Sequence, residues 1–247
     1  MTVFVTEPHD GVALVTLRDE ATKNSYSPAL IAGLTDAMNA ISQDERYKVV
    51  VLTGYGNYFL TGGSEEELRR LQAGNLSIQK LIDMLNLIVS CPIPIISAMQ
   101  GHAIGAGLAL GLHADLVVLA KESVYTANFV RYGFTPRQGR THSIPTKFGR
   151  VLGYEMLYTG RNYRGGELAR RGAQMPILPR KEVLAHALEM AQQMAMAPRP
   201  TLVNLRRLLS ADWRKNFDAY IHEEMSTMAE TVRQAAVKEK MAEIFKK

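Results

Sequence analysis

Two glycine-containing stretches, Leu60-Thr61-Gly62-Gly63-Ser64 and Gly101-His102-Ala103-Ile104-Gly105-Ala106-Gly107, each stand between a strand-like and a helix-like segment. A corner of this kind presents the unpaired N–H groups and the positive dipole end of the helix that follows. Its glycines let backbone or ligand approach without a Cβ in the way. Gly63 and Ala106 are thereby candidate N–H donors, and a pair of donors is what an enolate or a tetrahedral oxyanion of a thioester requires. Taken alone, the second stretch fits equally well with glycines that only permit close packing of helix on sheet. Neither corner is a phosphate motif, because the third glycine of a dinucleotide fingerprint, the Lys-Ser/Thr of a P-loop and a ribose-binding acid are all missing. There is no Gly-x-Ser-x-Gly elbow, and the histidines lack metal-ligand spacing.

The elements that position these corners are legible from pattern. Val3–Val5 and Val12–Leu17 flank Asp10-Gly11 and read as a hairpin. Ser27 then precedes Pro28 as an N-cap, and Leu30, Ile31, Leu34, Met38 and Ile41 form the apolar stripe of a helix. Val49–Gly54 is a continuous apolar run and reads as a strand buried on both faces. Tyr55–Phe59 reads as a loop, and Ser64 with Glu67 has the spacing of a capping box. Gly74-Asn75 breaks the chain, and Ser77 caps a helix running to Cys91. The central strand Pro92–Met99 and its helix come next, then strands Leu116–Ala120 and Val124–Thr126, and a turn at Gly133-Phe134-Thr135-Pro136. A helix covers Gly149–Thr159, and another ends at Gly172 with Arg170 and Arg171 in its last turn. From Pro179 the chain reads as helix only, with segments ended by Pro198 and over Thr201–Ser210 and Trp213–Phe245.

A chain of 247 residues can bury a substantial core. No apolar run reaches bilayer-spanning length and the first residues lack a signal-peptide pattern, so the expectation is a cytoplasmic protein with no membrane partner. Cys91 is the sole cysteine, which excludes an internal disulfide and a cysteine metal cluster and suggests a buried structural thiol. The formal charge of +5 and pI near 9.3 favour an acidic partner. Arg131, Arg137, Arg140, Lys147 and Arg150 cluster in mid-chain, with Arg161, Arg164, Arg170 and Arg171 next, a pattern that solvated surface also produces. His102 reads as a packed or backbone-bonded histidine more than a base. Glu65 and Glu66 are candidate bases at a helix N-terminus that solvent alone explains.

Leu52-Thr53-Gly54-Tyr55-Gly56-Asn57-Tyr58-Phe59-Leu60-Thr61-Gly62-Gly63, then Gly101–Gly107 with Ala114-Asp115, then Gly133-Phe134-Thr135-Pro136, resemble the crotonase (enoyl-CoA hydratase/isomerase) superfamily along nearly the whole chain. The resemblance implies an α/β fold, a crotonase-like spiral of ββα turns over residues 1–195 with a C-terminal helical trimerisation region over 196–247. It assigns the oxyanion-hole N–H groups to Gly63 and Ala106. Hydratases of this family place glutamates where this chain has Ala109 and Phe129. Adding water across a double bond needs a positioned acid and base, so the two replacements disfavour ordinary hydration.

Glu122–Pro136 and Tyr163-Arg164-Gly165-Gly166 look like one subgroup, the crotonase-like decarboxylases of polyketide β-branching, which act on a methylglutaconyl thioester held by an acyl carrier protein. Loss of CO₂ leaves a dienolate that two N–H groups stabilise. An apolar lining at Ala109 and Phe129 disfavours the ionised carboxylate relative to the delocalised enolate. The subgroup uses a lysine and a histidine that align without gaps to Ser77 and Met228; Lys80 and His222 lie nearby in sequence and serve if the register shifts. Arg137, Gln138 and His142 follow Pro136 in a loop that faces the site in this family, with Arg137 as a clamp for the substrate carboxylate. Tyr125 joins the candidate substrate-binding residues, although it and Tyr132 also read as packing residues with a bonded hydroxyl. The expected partners are an acyl carrier protein and further copies in a homotrimer or dimer of trimers, with nucleic acid disfavoured. No cofactor is expected beyond the phosphopantetheine or coenzyme A that carries the substrate. Two other readings stay open, a double-bond isomerase and a non-catalytic trimer that binds carrier protein or RNA.

Overall fold

The computed structural model describes residues 1–73, 86–137 and 139–245. Strands β1 (Val3–His9) and β2 (Val12–Leu17) form the expected hairpin, with Gly11 at φ +73° in its turn. Ser27 caps α1 (Pro28–Gln43) by accepting the Leu30 N–H, and α1 buries Leu30, Leu34, Met38 and Ile41 as its stripe requires. Next come β3 (Val49–Thr53), β4 (Tyr58–Leu60), α2 (Glu65–Gln72), β5 (Ile95–Met99), β6 (His102–Ile104), α3 (Ala106–Leu112), β7 (Leu116–Ala120) and β8 (Val124–Thr126). A 3₁₀ turn (Asn128–Tyr132) leads to α4 (Arg140–Phe148), α5 (Arg150–Thr159), β9 (Tyr163–Arg164), α6 (Gly165–Arg170) and β10 (Ile177–Leu178). The tail is α7 (Arg180–Ala195), α8 (Arg199–Leu209), α9 (Ala211–Val232) and α10 (Ala235–Phe245).

The larger sheet has the order β1-β2-β3-β5-β7-β10, parallel except for the β1/β2 hairpin. Its central strands are apolar on both faces because both are covered. Val49, Val51, Ile96 and Ala98 face α7 through Val183, Ala187 and Ala191, while Val50, Leu52, Ile95 and Met99 join the main core with α1. The smaller sheet, β4-β6-β8-β9, differs from the sequence expectation. Tyr58–Leu60 is a strand that overlaps the loop expected over Tyr55–Phe59, and β6 intervenes between the central strand and its helix. Strands of three residues are too short to show a period.

The chain passes from the large sheet to the small one through Gly54 and Gly101. A Cβ on either would lie 2.1 Å and 2.4 Å from Tyr58 backbone atoms. Gln100 ties the crossing together, its Oε1 accepting from the Gly54 N–H and the Thr53 hydroxyl and its Nε2 donating to the Tyr58 carbonyl.

The tail is two helices where one was expected from Trp213 to Phe245, broken between Val232 and Ala235. It packs back on the main core through Met228, Val232, Val237 and Met241. Buried Arg206 staples α8 down, donating to the Ile88 and Val89 carbonyls and pairing with Asp115 at 2.8 Å. Among the described residues no helix is long and apolar enough to cross a membrane, and no cluster of side chains has the makings of a metal site.

Candidate active site

β4 and β6 are neighbouring parallel strands, pairing Tyr58 with His102 and, after a one-residue register shift, Leu60 with Ala103. The corners that follow them therefore emerge side by side at the same end of the small sheet, where ligands of parallel sheets bind. They also interlock. A Cβ on Gly62, at φ +78°, would fall 2.6 Å from the Ile104 carbonyl oxygen and 3.2 Å from the Ala106 nitrogen, and one on Gly107 would fall 2.0 Å from the Leu60 oxygen. Glycine at 62 and 107 is thus what allows the two backbones to touch. Gly105, at φ +52°, caps α3 with no side-chain bond.

Gly63 and Ala106 line one cavity of about 80 Å³. Among the described residues neither amide is consumed by an internal hydrogen bond. A third segment, Asn24–Tyr26, holds both corners. The Asn24 side chain donates to the Leu17 and Phe59 carbonyls, and the Asn24 main-chain carbonyl accepts from Thr61 N–H. Tyr26 N–H donates to the Gly62 carbonyl at 2.9 Å while its hydroxyl donates to the Ala106 carbonyl at 2.8 Å. The sequence argument missed Asn24 and Tyr26. The signal for the first was an asparagine just ahead of an N-cap, a place where a left-handed backbone is common, and Asn24 has φ +55°.

Ile104, Phe129, Tyr132 and Phe134 make the apolar part of the wall, Thr61 and Asn128 add neutral polar groups, and the charged side chains among the described lining residues are Glu67, Arg137 and Arg140. Glu67 forms the expected capping box, its Oε2 accepting the Ser64 N–H at 2.7 Å and its own N–H meeting the Ser64 hydroxyl at 3.2 Å. Burial raises its pKa, and the Ser64 bonds and the Arg137 charge oppose that rise. Arg140 lies over the Phe129 ring at 4.5 Å, and burial together with the Arg137 charge pushes its pKa down to about 9. The helix that starts at Arg140 is capped from α9. Buried Glu224 accepts the N–H groups of Gly139, Arg140 and Thr141 and the Thr141 hydroxyl. The mid-chain basic cluster therefore divides. Arg137 and Arg140 turn inward, Lys147 donates to the Ala114 and Asp115 carbonyls, and Arg161 and Arg171 pair with Glu155 and Glu167.

The cavity thus gathers Gly63, Ala106, Phe129 and Arg137 of the expected residues. Three others are corrected. Ala109 is buried in the body of α3 and is not part of the cavity wall. Tyr125 is fully buried away from the cavity, its hydroxyl donating to the Met99 carbonyl and accepting the Ala120 N–H, both at 2.7 Å. His222 is exposed on α9 and does not line the cavity, while Met228 on the same helix is a core residue. Ser77, Lys80 and Gln138 lie outside the described residues. His102 is backbone-bonded, its Nδ1 accepting the Val124 N–H at 3.0 Å, and burial lowers its pKa. His142 clusters with the Trp213 and Tyr220 rings at centroid distances of 4.6 and 5.2 Å, those two rings being 5.7 Å from each other. Glu66 is spent on an exposed pair with Arg70. Cys91 is buried, and burial raises its pKa, as expected of a structural thiol.

Comparison with known proteins extends over the whole chain. The model of the enoyl-CoA hydratase/isomerase family matches residues 7–247. The bacillaene synthase decarboxylase PksI of Bacillus subtilis is 41% identical over 245 residues, covering 98% of this chain and 97% of that protein. The ECH2 decarboxylase domain of CurF from Lyngbya majuscula superposes with a TM-score of 0.95 at 43% identity, covering 98% of this chain and 99% of that one. A structure from a dehydratase/decarboxylase enzyme couple of polyketide β-branching superposes with a TM-score of 0.94 at 41% identity, covering 98% of both chains. With two free main-chain donors at interlocked corners and a family match from residue 7 to the last, the chain belongs to the enoyl-CoA hydratase/isomerase, or crotonase, family.

Proposed function

We propose that this protein decarboxylates a methylglutaconyl-type enoyl thioester presented by an acyl carrier protein. The observation that carries the reading is the pair of unspent amides, Gly63 and Ala106, on one cavity whose wall includes Phe129, at a position where the family resemblance implies a glutamate in hydratases. The thioester oxygen accepts from both N–H groups. As the C–C bond to the carboxylate breaks, its electron pair moves through the conjugated chain onto that oxygen and CO₂ leaves as a neutral molecule. The donors are fixed before the charge develops, so they stabilise the dienolate without reorganising. A proton then quenches the dienolate carbon, and the proposed donor is Lys80, three positions beyond Ser77, to which the subgroup's lysine aligns without gaps. The similarity to PksI and to the CurF domain, both decarboxylases by name, supports the same chemistry. The exposed leucines Leu205, Leu208 and Leu209 on and beside one face of α8 support a homo-oligomer, proposed as a trimer.

One observation favours a second reading, double-bond isomerisation. Glu67 brings a half-buried carboxyl to the cavity, and an isomerase needs a base there. Mass spectrometry of carrier-bound methylglutaconyl thioester decides. Loss of one CO₂ supports decarboxylation, and unchanged mass with a shifted ultraviolet chromophore supports isomerisation.

A further inference from the structure

Arg137 is 8% exposed, lines the cavity, and has an Nη1 with no hydrogen-bond partner among the described residues. A buried guanidinium that lacks partners is a costly feature, one that proteins keep where a bound anion completes it. Its nearest ionisable neighbours in the wall do not complete it. Among the described residues Glu67 makes no hydrogen bond to it and acts on it only through its charge, and that carboxylate's Oε2 is already occupied by the Ser64 N–H. Arg140 adds a second positive charge to the same wall, so among the described residues the cavity presents two arginines against one carboxyl. Arg140 is itself fixed, its guanidinium against the Phe129 ring and its backbone N–H against Glu224. Arg137 is the guanidinium left available to a ligand.

We propose that Arg137, with Arg140 behind it, forms a carboxylate subsite in the cavity that holds Gly63 and Ala106, and that this subsite selects acyl thioesters carrying a free carboxylate over neutral ones. The proposal rests on the thioester reading above and adds the determinant of its acidic substrate. The oxyanion corners recognise any thioester carbonyl, so they contribute no preference for a diacid. Arg137 does, because its N–H groups are donors for a carboxylate and offer nothing to a methyl terminus. Holding the carboxylate at one end and the carbonyl at the other fixes the acyl chain across the cavity, which orients the bond that is to break.

The test is direct binding without turnover. A pantetheine thioether with a terminal carboxylate and its methyl-terminated counterpart are titrated into the wild type, Arg137→Lys and Arg137→Gln. The wild type is expected to prefer the acidic probe, Arg137→Gln to lose about 100-fold in affinity for it with the neutral probe unchanged, and Arg137→Lys to recover part of the loss. Equal affinity of Arg137→Gln and wild type for the acidic probe, or equal losses for both probes, overturns the subsite. Arg137→Gln removes a buried charge without a partner, so its melting temperature is expected to equal or exceed that of the wild type. CO₂ release tests the other layer separately. A wild type that shows the binding preference but releases no CO₂ keeps the subsite and sinks decarboxylation. A variant Arg137→Gln that releases CO₂ with unchanged KM keeps decarboxylation and sinks the subsite.

Discussion

The Tyr26 hydroxyl donates to the Ala106 carbonyl at 2.8 Å while the Tyr26 N–H donates to the Gly62 carbonyl, so one residue spans the two corners that carry the oxyanion donors. Burial pushes the Tyr26 pKa well up, keeping the phenol protonated and able to donate. Tyr26→Phe keeps the ring and the main-chain bond and removes only the link to the second corner. A lost hydrogen bond of this kind costs about 1 kcal/mol of stability. Because the spacing of the donors matters most when charge develops on the oxygen, kcat is expected to fall about tenfold with KM little changed. Steady-state kinetics beside a melting curve checks this, and an unchanged kcat removes Tyr26 from the positioning of the site.

The Gly63 amide can be deleted outright. Gly63 is exposed in the first corner and has no left-handed φ, so proline at this position removes the N–H while demanding little of the surrounding packing. Loss of one oxyanion donor costs about 10²–10³ in kcat. Gly63→Pro is expected to show that loss with a melting temperature within a few degrees of wild type (about 2–4 °C per kcal/mol). A folded variant with full kcat would remove Gly63 from the oxyanion hole.

How much of this was legible in the sequence depended on the length scale of the signal. The stripe of α1, the Ser27 cap, the Ser64–Glu67 box and the apolar run of β3 are local patterns, and all are present. Both corners were visible because glycine marks a backbone requirement directly. Their interlocking was not, since it depends on β4 pairing with β6, two strands of three residues 44 positions apart at Tyr58 and His102. Tyr125 is not a substrate residue but the packing residue with a bonded hydroxyl that was the other reading of it, and only the fold supplies its partners, the Met99 and Ala120 backbone. The arginine cluster had the composition of solvated surface, and only the fold separates inward Arg137 and Arg140 from Arg161 and Arg171 in their outer ion pairs.

Glu224 couples the tail to the site. Its carboxylate accepts three N–H groups at the start of α4 and the Thr141 hydroxyl from the middle of α9. Those bonds cap the helix that begins at Arg140 and follows Arg137. Glu224→Gln keeps the shape but replaces one acceptor oxygen with a donor facing N–H groups, an arrangement expected to cost about 2–3 kcal/mol. The expected fall in melting temperature is roughly 5–10 °C. Because the capped loop carries the arginines, binding of an acidic thioester analogue should weaken more than binding of a neutral one. Differential scanning calorimetry with paired titrations checks both effects, and an unchanged melting temperature rules out the cap.

Glu67 supplies the pH dependence. Its carboxyl is held above the usual range by burial, against the opposing Ser64 bonds and Arg137 charge. Between the ordinary glutamate value and that raised value the folded chain holds a proton that the unfolded chain has released. Stability therefore falls as pH rises through the window. Glu67→Gln still accepts the Ser64 N–H but carries no charge, so its unfolding free energy should lack this decline and gain on the wild type above the window. The same charge competes with the ligand for Arg137. As Glu67 ionises, wild-type affinity for a carboxylate-bearing analogue should decrease with pH, whereas Glu67→Gln should bind it about threefold or more tighter at neutral pH with a flat profile. Calorimetric titration across the acid-to-neutral range reads both slopes. Parallel profiles for the two proteins would mean that Glu67 does not share its field with the bound carboxylate.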